Sequence, residues 1–338
     1  MVNTHRVGSG SGGQEFSKVA VLGLGLIGGS LARDLHERGV EVTGQDVDAA
    51  TVFAARAAGI DAHHDMAPAL AGCDLVVLAV PLKAMRATAQ GLAAHIDATA
   101  DATVIDVGSV KGEVRQAMVA AGLGERYVGA HPMAGTQWSG FEASAADLLH
   151  GACWAVTTAA GQASTGQAGV SQASSGHVAG AGQASNCQTR AGQVNAEYVA
   201  EAGAPAQGRE VAVARWIEHT LDGRVLRLSD EEHDEAVALI SHVPHVLGTW
   251  LLNAVSSAGV RDAALALAAG SFRDATRVAL TTPERTQAMV TQNADWVAAA
   301  LRKASRDLAA LAQDLESNCD VSDFFHAANE LRNLRRID

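Results

Sequence analysis

Lys18-Val19-Ala20-Val21-Leu22-Gly23-Leu24-Gly25-Leu26-Ile27-Gly28-Gly29-Ser30-Leu31-Ala32 decides the fold. Val19 to Leu22 form a short apolar run, as expected of a strand buried on both faces. Gly23, Gly25 and Gly28 then spell G-x-G-x-x-G, and a helical pattern follows until about Gly39. In a strand-turn-helix setting each glycine has a task. The first permits the tight turn, the second lets a pyrophosphate approach the backbone, and the third lets helix and strand pack closely. The helix amino terminus faces the phosphates. Leu26 and Ile27, inside the turn, are expected to contact the cofactor with the glycines.

The next strand, Val40 to Gly44, leads to Asp46, 18 residues past Gly28. A carboxylate there accepts hydrogen bonds from ribose hydroxyls and repels a 2′-phosphate, which selects NAD over NADP. Asp48 is the neighbouring alternative, with helix capping as its plainer role. Further strands are predicted at Leu75–Val80, Thr103–Val107, Tyr127–Ala130 and Trp154–Thr158, most with helical patterns between them. This alternation predicts an α/β Rossmann-type fold with a doubly wound parallel sheet. Ligands lie outside the carboxyl ends of such strands. Val80, Pro81, Asp106 and Ser109 fall there. Ser109 equally suits an N-cap for a helix starting near Lys111. His131 follows another strand onto the same rim. A neutral imidazole is suited to take or hold a hydroxyl proton while hydride leaves the carbinol carbon. A plain structural histidine in a loop is the alternative.

The remaining organisation is read from composition. Residues 1–16 are Gly/Ser-rich and predicted to be disordered. Residues 160–208 lack Leu, Ile, Phe, Met and Trp and carry a degenerate GQAS-like repeat. Such a segment buries too little apolar surface to offset its ordering entropy, so a mobile insertion is predicted. Thus 17–228 is read as the nucleotide-binding domain with that insertion. A helix from about Arg209 to Asp222 and a strand at Val225–Leu228 complete it. Ser229-Asp230-Glu231-Glu232 is a capping box opening an all-α domain over 229–315, followed by a polar helical tail over 316–338. Two long apolar helices there, Ala236–Ser257 and Thr286–Leu315, suggest a helical homodimer interface. Pro244 is expected to kink the first. His242 and His245 are three apart, but no further ligand set stands nearby, so no metal is expected.

The net charge of −12 argues against nucleic acid or an anionic membrane as partner, so an anionic substrate must meet locally placed arginines. Arg273 and Arg277, four apart, share one face if that stretch is helical. Four cysteines without a C-x-x-C pair, and no signal-peptide pattern, fit a reducing cytoplasm. No apolar run reaches the ~18 residues of a membrane span.

Five ordered motifs belong together: GLGLIGGS (23–30), DVGSVKG (106–112), GAHPMAGT (129–136), SHVPH (241–245) and GSFRDATR (270–277). In this combination the chain resembles the prephenate/arogenate dehydrogenase family of tyrosine biosynthesis, over about residues 18–315 without the insertion. The resemblance implies NAD-dependent oxidative decarboxylation of a cyclohexadienyl substrate. It implies His131 as the catalytic histidine on the ring hydroxyl and Ser109 as the serine beside it. His245 would be a substrate-site histidine and Arg277 the clamp on a substrate carboxylate, for which a planar guanidinium is well shaped. Ser241 and Arg273, in the same two motifs, are placed with them as substrate-binding. Some members carry Trp at the position of Thr286 and Glu at that of Gln137. A neutral Gln137 gives up pairing with an amino group, which favours prephenate over arogenate. No complete ACT-type regulatory domain is expected in the 316–338 tail.

Two other readings compete. A non-catalytic NAD-binding regulator accounts for the glycines and Asp46 but not for Ser109, His131, His245 and Arg277 together. A β-hydroxy-acid dehydrogenase would want a lysine base in the helical domain, where Lys303 stands only near the end.

Overall fold

The computed structural model describes residues 16–95, 101–136, 138–158 and 208–334. Strand β1 (Lys18–Leu22) leads through the glycine turn into helix α1 (Leu26–Glu37). There follow β2 (Glu41–Gln45), α2 (Ala49–Ala57), β3 (Asp61–His63), α3 (Met66–Leu70), β4 (Leu75–Leu78), α4 (Met85–Ala93), β5 (Thr103–Asp106) and α5 (Gly112–Ala120). Then come β6 (Tyr127–Pro132), β7 (Cys153–Thr158), α6 (Arg209–Thr220) and β8 (Arg224–Ser229). The eight strands form one sheet in the order β3-β2-β1-β4-β5-β6-β7-β8. β1 pairs in parallel with both β2 and β4, so the chain reverses its direction of winding there. The crevice of a doubly wound sheet lies at that reversal, outside the carboxyl ends of its strands.

The core has one layer on each sheet face. Val19, Val21, Leu31, Leu35, Val77 and Ile105 lie in one, and Ala20, Leu22, Val76, Leu78, Met118 and Tyr127 in the other. Alternate residues of β1 thus feed opposite layers, which is why its sequence is continuously apolar. Phe16 corrects the boundary of the expected tail. It is buried, and its ring packs edge-on against Trp216 at 6.1 Å. Residues 1–15 lie outside the described residues, as do residues 159–207 of the expected insertion.

The sheet departs from the predicted all-parallel pattern at one pairing. β6 and β7 run antiparallel, with His131 opposite Ala155. β8 then pairs in parallel with β7. The predicted strand Leu75–Val80 stops at Leu78 because Ala79 and Val80 turn away to pack on the glycine loop. The three-residue β3 had no apolar run to announce it.

β8 passes directly into α7 (Asp230–Val237), and Ser229 and Glu232 form the reciprocal capping box. The expected single helix is broken by a π turn at Ala238–His242 before α8 (Val243–Ser257). Pro244 stands in the first turn of α8, where its missing N–H costs nothing, so the wide turn takes the place of the expected proline kink. The rest comprises α9 (Arg261–Ala266), α10 (Gly270–Thr276), a 3-10 turn at Arg277–Leu280, α11 (Pro283–Gln292), α12 (Ala294–Glu316) and α13 (Ser322–Leu334). The predicted helix Thr286–Leu315 is thus two helices, divided at Asn293. Residues Asp230–Ser257 contain an 18-residue window of mean hydropathy 1.2 that is only 22% buried, long and apolar enough to cross a membrane by length and composition. Leu239, Ile240, Leu247 and Trp250 on this run are exposed.

Candidate active site

At the nucleotide end the backbone makes the site. Gly23 has φ +95°, open to glycine but strained for other residues. A Cβ on Gly28 would stand 1.9 Å from the Gly23 carbonyl oxygen and 2.7 Å from Ala79 Cβ. Around Gly25 the corresponding space is empty within 4 Å. Gly25 is the N-cap of α1 and no side chain caps it, so the free amides of the first turn face open space. That cradle suits a pyrophosphate. Leu26 and Ile27 are the first helical residues above it. The Asp46 carboxylate is steered towards the turn by the amides of Leu24 (2.8 Å) and Asp48 (2.9 Å). Each oxygen keeps a lone pair for a ribose hydroxyl. Asp48 itself caps α2. Val80 packs against Gly23, and Pro81 follows at the exposed lip.

Asp106 corrects an expectation. Expected at the cofactor, its side chain is instead fully buried. Its carboxylate accepts from Lys111 Nζ at 2.6 Å, Tyr127 Oη at 2.6 Å and the Gly108 amide at 2.8 Å. It therefore braces the floor of the cleft from inside. Burial pulls the Lys111 ammonium down from its ordinary range, and the adjacent Asp106 opposes that pull. Ser109 does not cap α5 either. That duty falls to Asp234, which accepts from the amides of Lys111 and Gly112, each at 2.8 Å. The Ser109 hydroxyl makes no hydrogen bond to a described residue and is partly exposed.

His131 lies within β6, two residues beyond Gly129, which pairs with Asp106 of β5. It therefore shares the carboxyl-end rim with Ser109. Its Nδ1 meets His233 Nε2 at 2.9 Å, with the rings edge to face at 5.2 Å between centroids. His233 Nδ1 meets Asp234 Oδ1 at 2.8 Å. Burial holds the His131 imidazole well below its usual pKa, reinforced by the charge of Lys111 and by His233 and His242. The ring is therefore neutral near pH 7. Asp230, beside this chain, pairs with Arg115 and accepts from Thr157 Oγ1 at 2.6 Å. Asn293 Nδ2 joins the Asp234 carbonyl (2.7 Å) to His242 Nδ1 (3.1 Å). The Asp230 bonds tie α7 to the end of the sheet, and Asn293 ties α7 to the π turn.

His245 lies one turn past His242. Its Nδ1 donates to the Ser241 carbonyl at 2.8 Å, and its Nε2 is 3.5 Å from Thr281 Oγ1. Thr281 follows the 3-10 turn that begins at Arg277. Arg273 and Arg277 are both exposed, and neither forms an ion pair with a described residue. α10 runs through Thr276, and Arg277, its C-cap, keeps right-handed helical dihedrals, so the expected spacing of four places both on one face. Gln137 lies outside the described residues. Arg285 reaches its neighbour, the Thr136 carbonyl, at 3.5 Å.

Residues 31–174 match the domain family described as prephenate dehydrogenase, nucleotide-binding domain, and residues 229–329 match the prephenate dehydrogenase, dimerization domain. A cyclohexadienyl dehydrogenase of Zymomonas mobilis is 30% identical over 285 residues, covering 82% of each chain. The chain belongs to the prephenate dehydrogenase family. Among solved structures, the Aquifex aeolicus prephenate dehydrogenase complexed with hydroxyphenyl propionate and NAD+ superposes with a TM-score of 0.73 at 23% identity, covering 95% of this chain and 98% of that one. A Synechocystis arogenate dehydrogenase gives 0.68 at 25%, covering 94% and 98%.

Several polar residues of this dehydrogenase's cleft escaped the sequence reading: Lys111, Arg115, Tyr127, Asp230, His233, Asp234 and Asn293. One signal was there. Asp230, His233 and Asp234 are three and four apart, so they share a face of the helix that the capping box announces.

Proposed function

We propose that the protein is an NAD-dependent prephenate dehydrogenase that oxidatively decarboxylates prephenate to 4-hydroxyphenylpyruvate. The observation that carries this reading is His131, a neutral imidazole on the carboxyl-end rim of the sheet, next to the strand that leads to Ser109. When bound, the nicotinamide supplies the hydride acceptor. The chain's own residues do the rest. Gly23, Gly25, Gly28 and Asp46 hold the dinucleotide, and the Asp46 carboxylate disfavours a 2′-phosphate. Ser109 and His131 hold the ring hydroxyl, and His131 takes its proton. His245, with Ser241 supporting its ring through a carbonyl, and the guanidiniums of Arg273 and Arg277, without an ion pair among the described residues, face the substrate's carboxylates. Loss of CO₂ from the resulting dienone makes the ring aromatic, which drives the reaction forward. The exposed Leu239, Ile240, Leu247 and Trp250 on a segment of the dimerisation family support a homodimer through the helical half. A reducing, cytoplasmic setting suits the free cysteines.

A second reading, use of both prephenate and arogenate, is favoured by the relative named cyclohexadienyl dehydrogenase. Steady-state rates with each substrate test the choice. A higher kcat/KM for prephenate is expected, and a higher one for arogenate reverses it. In the same assay His131→Asn should lower kcat by about 10³-fold while leaving NAD binding intact. Retained turnover in that variant removes the mechanism.

A further inference from the structure

Behind His131 runs a hydrogen-bonded chain that ends on a charge. Asp234 is the fixed end. Burial pushes its carboxyl up, but hydrogen bonds from His233 and from the Gly112 and Lys111 amides outweigh this and hold it below the ordinary range. An ionised carboxylate only accepts, so the 2.8 Å contact requires the proton on Nδ1 of His233. With that as the ring's single proton, His233 presents only a lone pair at Nε2. The 2.9 Å contact beyond it requires that Nδ1 of His131 donate. His131 is left with a bare Nε2, the nitrogen that can receive a proton. His233 is 1% exposed, so water does not compete for its bonds.

We propose that His233, backed by Asp234, is a positioning residue that fixes His131 in this tautomer and takes over its positive charge. The proposal rests on His131 as acceptor of the substrate's hydroxyl proton. As the C–H pair departs as hydride, the O–H bond breaks, its electrons form the C=O, and the proton bonds to Nε2 of His131. The Nδ1 proton of His131 then passes to Nε2 of His233. The charge now lies beside Asp234, and His131 is neutral. Proton release from His131 Nε2 to water, with return of the shared proton, resets the pair. The other charged and titratable groups facing the two rings are Lys111, held by Asp106, and His242 from the π turn.

The test compares His233→Leu with His233→Gln in the full chain, using NAD and prephenate. His233→Leu should lower kcat by about 100-fold with little change in KM or NAD affinity, as expected when a base loses its tautomer partner. His233→Gln offers an amide oxygen to the Nδ1 proton and should recover about tenfold of that loss. If His233→Leu keeps native kcat while His131→Asn is inactive, the proposal fails and the role of His131 stands. Equal losses in the two His233 variants also overturn it. An active His131→Asn overturns it by removing the reading beneath it. A further measurement needs no variant. Nitrogen-15 NMR of histidine-labelled native protein with NAD should find His131 protonated at Nδ1 and bare at Nε2 at neutral pH. The opposite tautomer overturns the proposal.

Discussion

At the glycine turn between β1 and α1, bare backbone meets the ligand. At His131, side chains from the ends of two strands, the turn before α5 and the first turns of α7 must converge. The first region is compact in sequence, with its three glycines and its carboxylate all between Gly23 and Asp46. The second joins residues 102 positions apart at His131–His233 and 123 apart at Lys111–Asp234. A backbone site is thus specified by where a side chain is forbidden. A side-chain network is specified by partners that no short motif contains.

Substitutions at the two regions should therefore fail differently. The largest effect is expected at Gly28→Ala. Its Cβ would collide with the Gly23 carbonyl, which cannot move aside without opening the turn. A loss of about 3 kcal/mol in denaturant-measured stability is expected, together with lost NAD binding. Native stability in that variant would mean that the turn is pliable and the comparison is drawn too sharply. Next comes His242, whose pKa burial moves from 6.5 to about 4. Its folded value is depressed, so its contribution is complete above pH 6.5 and is lost as pH falls towards 4. About 2 kcal/mol should disappear between pH 7.5 and pH 5. His242→Gln should flatten that slope, and an unchanged slope would assign the loss elsewhere. The smallest effect is expected at Gly25→Ala, whose Cβ meets only open space. Stability should stay within about 0.5 kcal/mol of native, while NAD affinity falls by about tenfold on calorimetric titration. Unaltered affinity would move the pyrophosphate away from Gly25.

How much could be read from the chain follows the same division. The apolar runs at Val19–Leu22 and Leu75–Leu78 disclosed buried strands because both faces of the sheet are covered. The direction of β7 was hidden, since a buried run looks alike in either orientation. His131 and Ser109 were legible as rim positions because strand ends locate ligands. The displacement of Ser109 from its capping role was not, because the competing cap comes from Asp234. Asp106 misled for a related reason. A carboxylate at a strand end suggests a ligand, and only Lys111 and Tyr127 closing on it reveal an internal brace. The π turn was equally hidden, since Pro244 advertised a kink that the preceding wide turn made unnecessary.

The junction at Ser229 has a mechanical consequence. No linker separates β8 from α7, and the capping box, the Asp230–Arg115 pair and the Asp234 amide bonds fasten the helix's first two turns to the sheet. Those turns are a spar of the nucleotide-binding half, although they stand in the other half of the sequence. His131 and His233 ride on one rigid body. His245 and the arginines lie across the wide turn, joined to that body through Asn293, which bonds both Asp234 and His242. The base's alignment is therefore set by the sheet, while the substrate clamp is set by the helices beyond the turn.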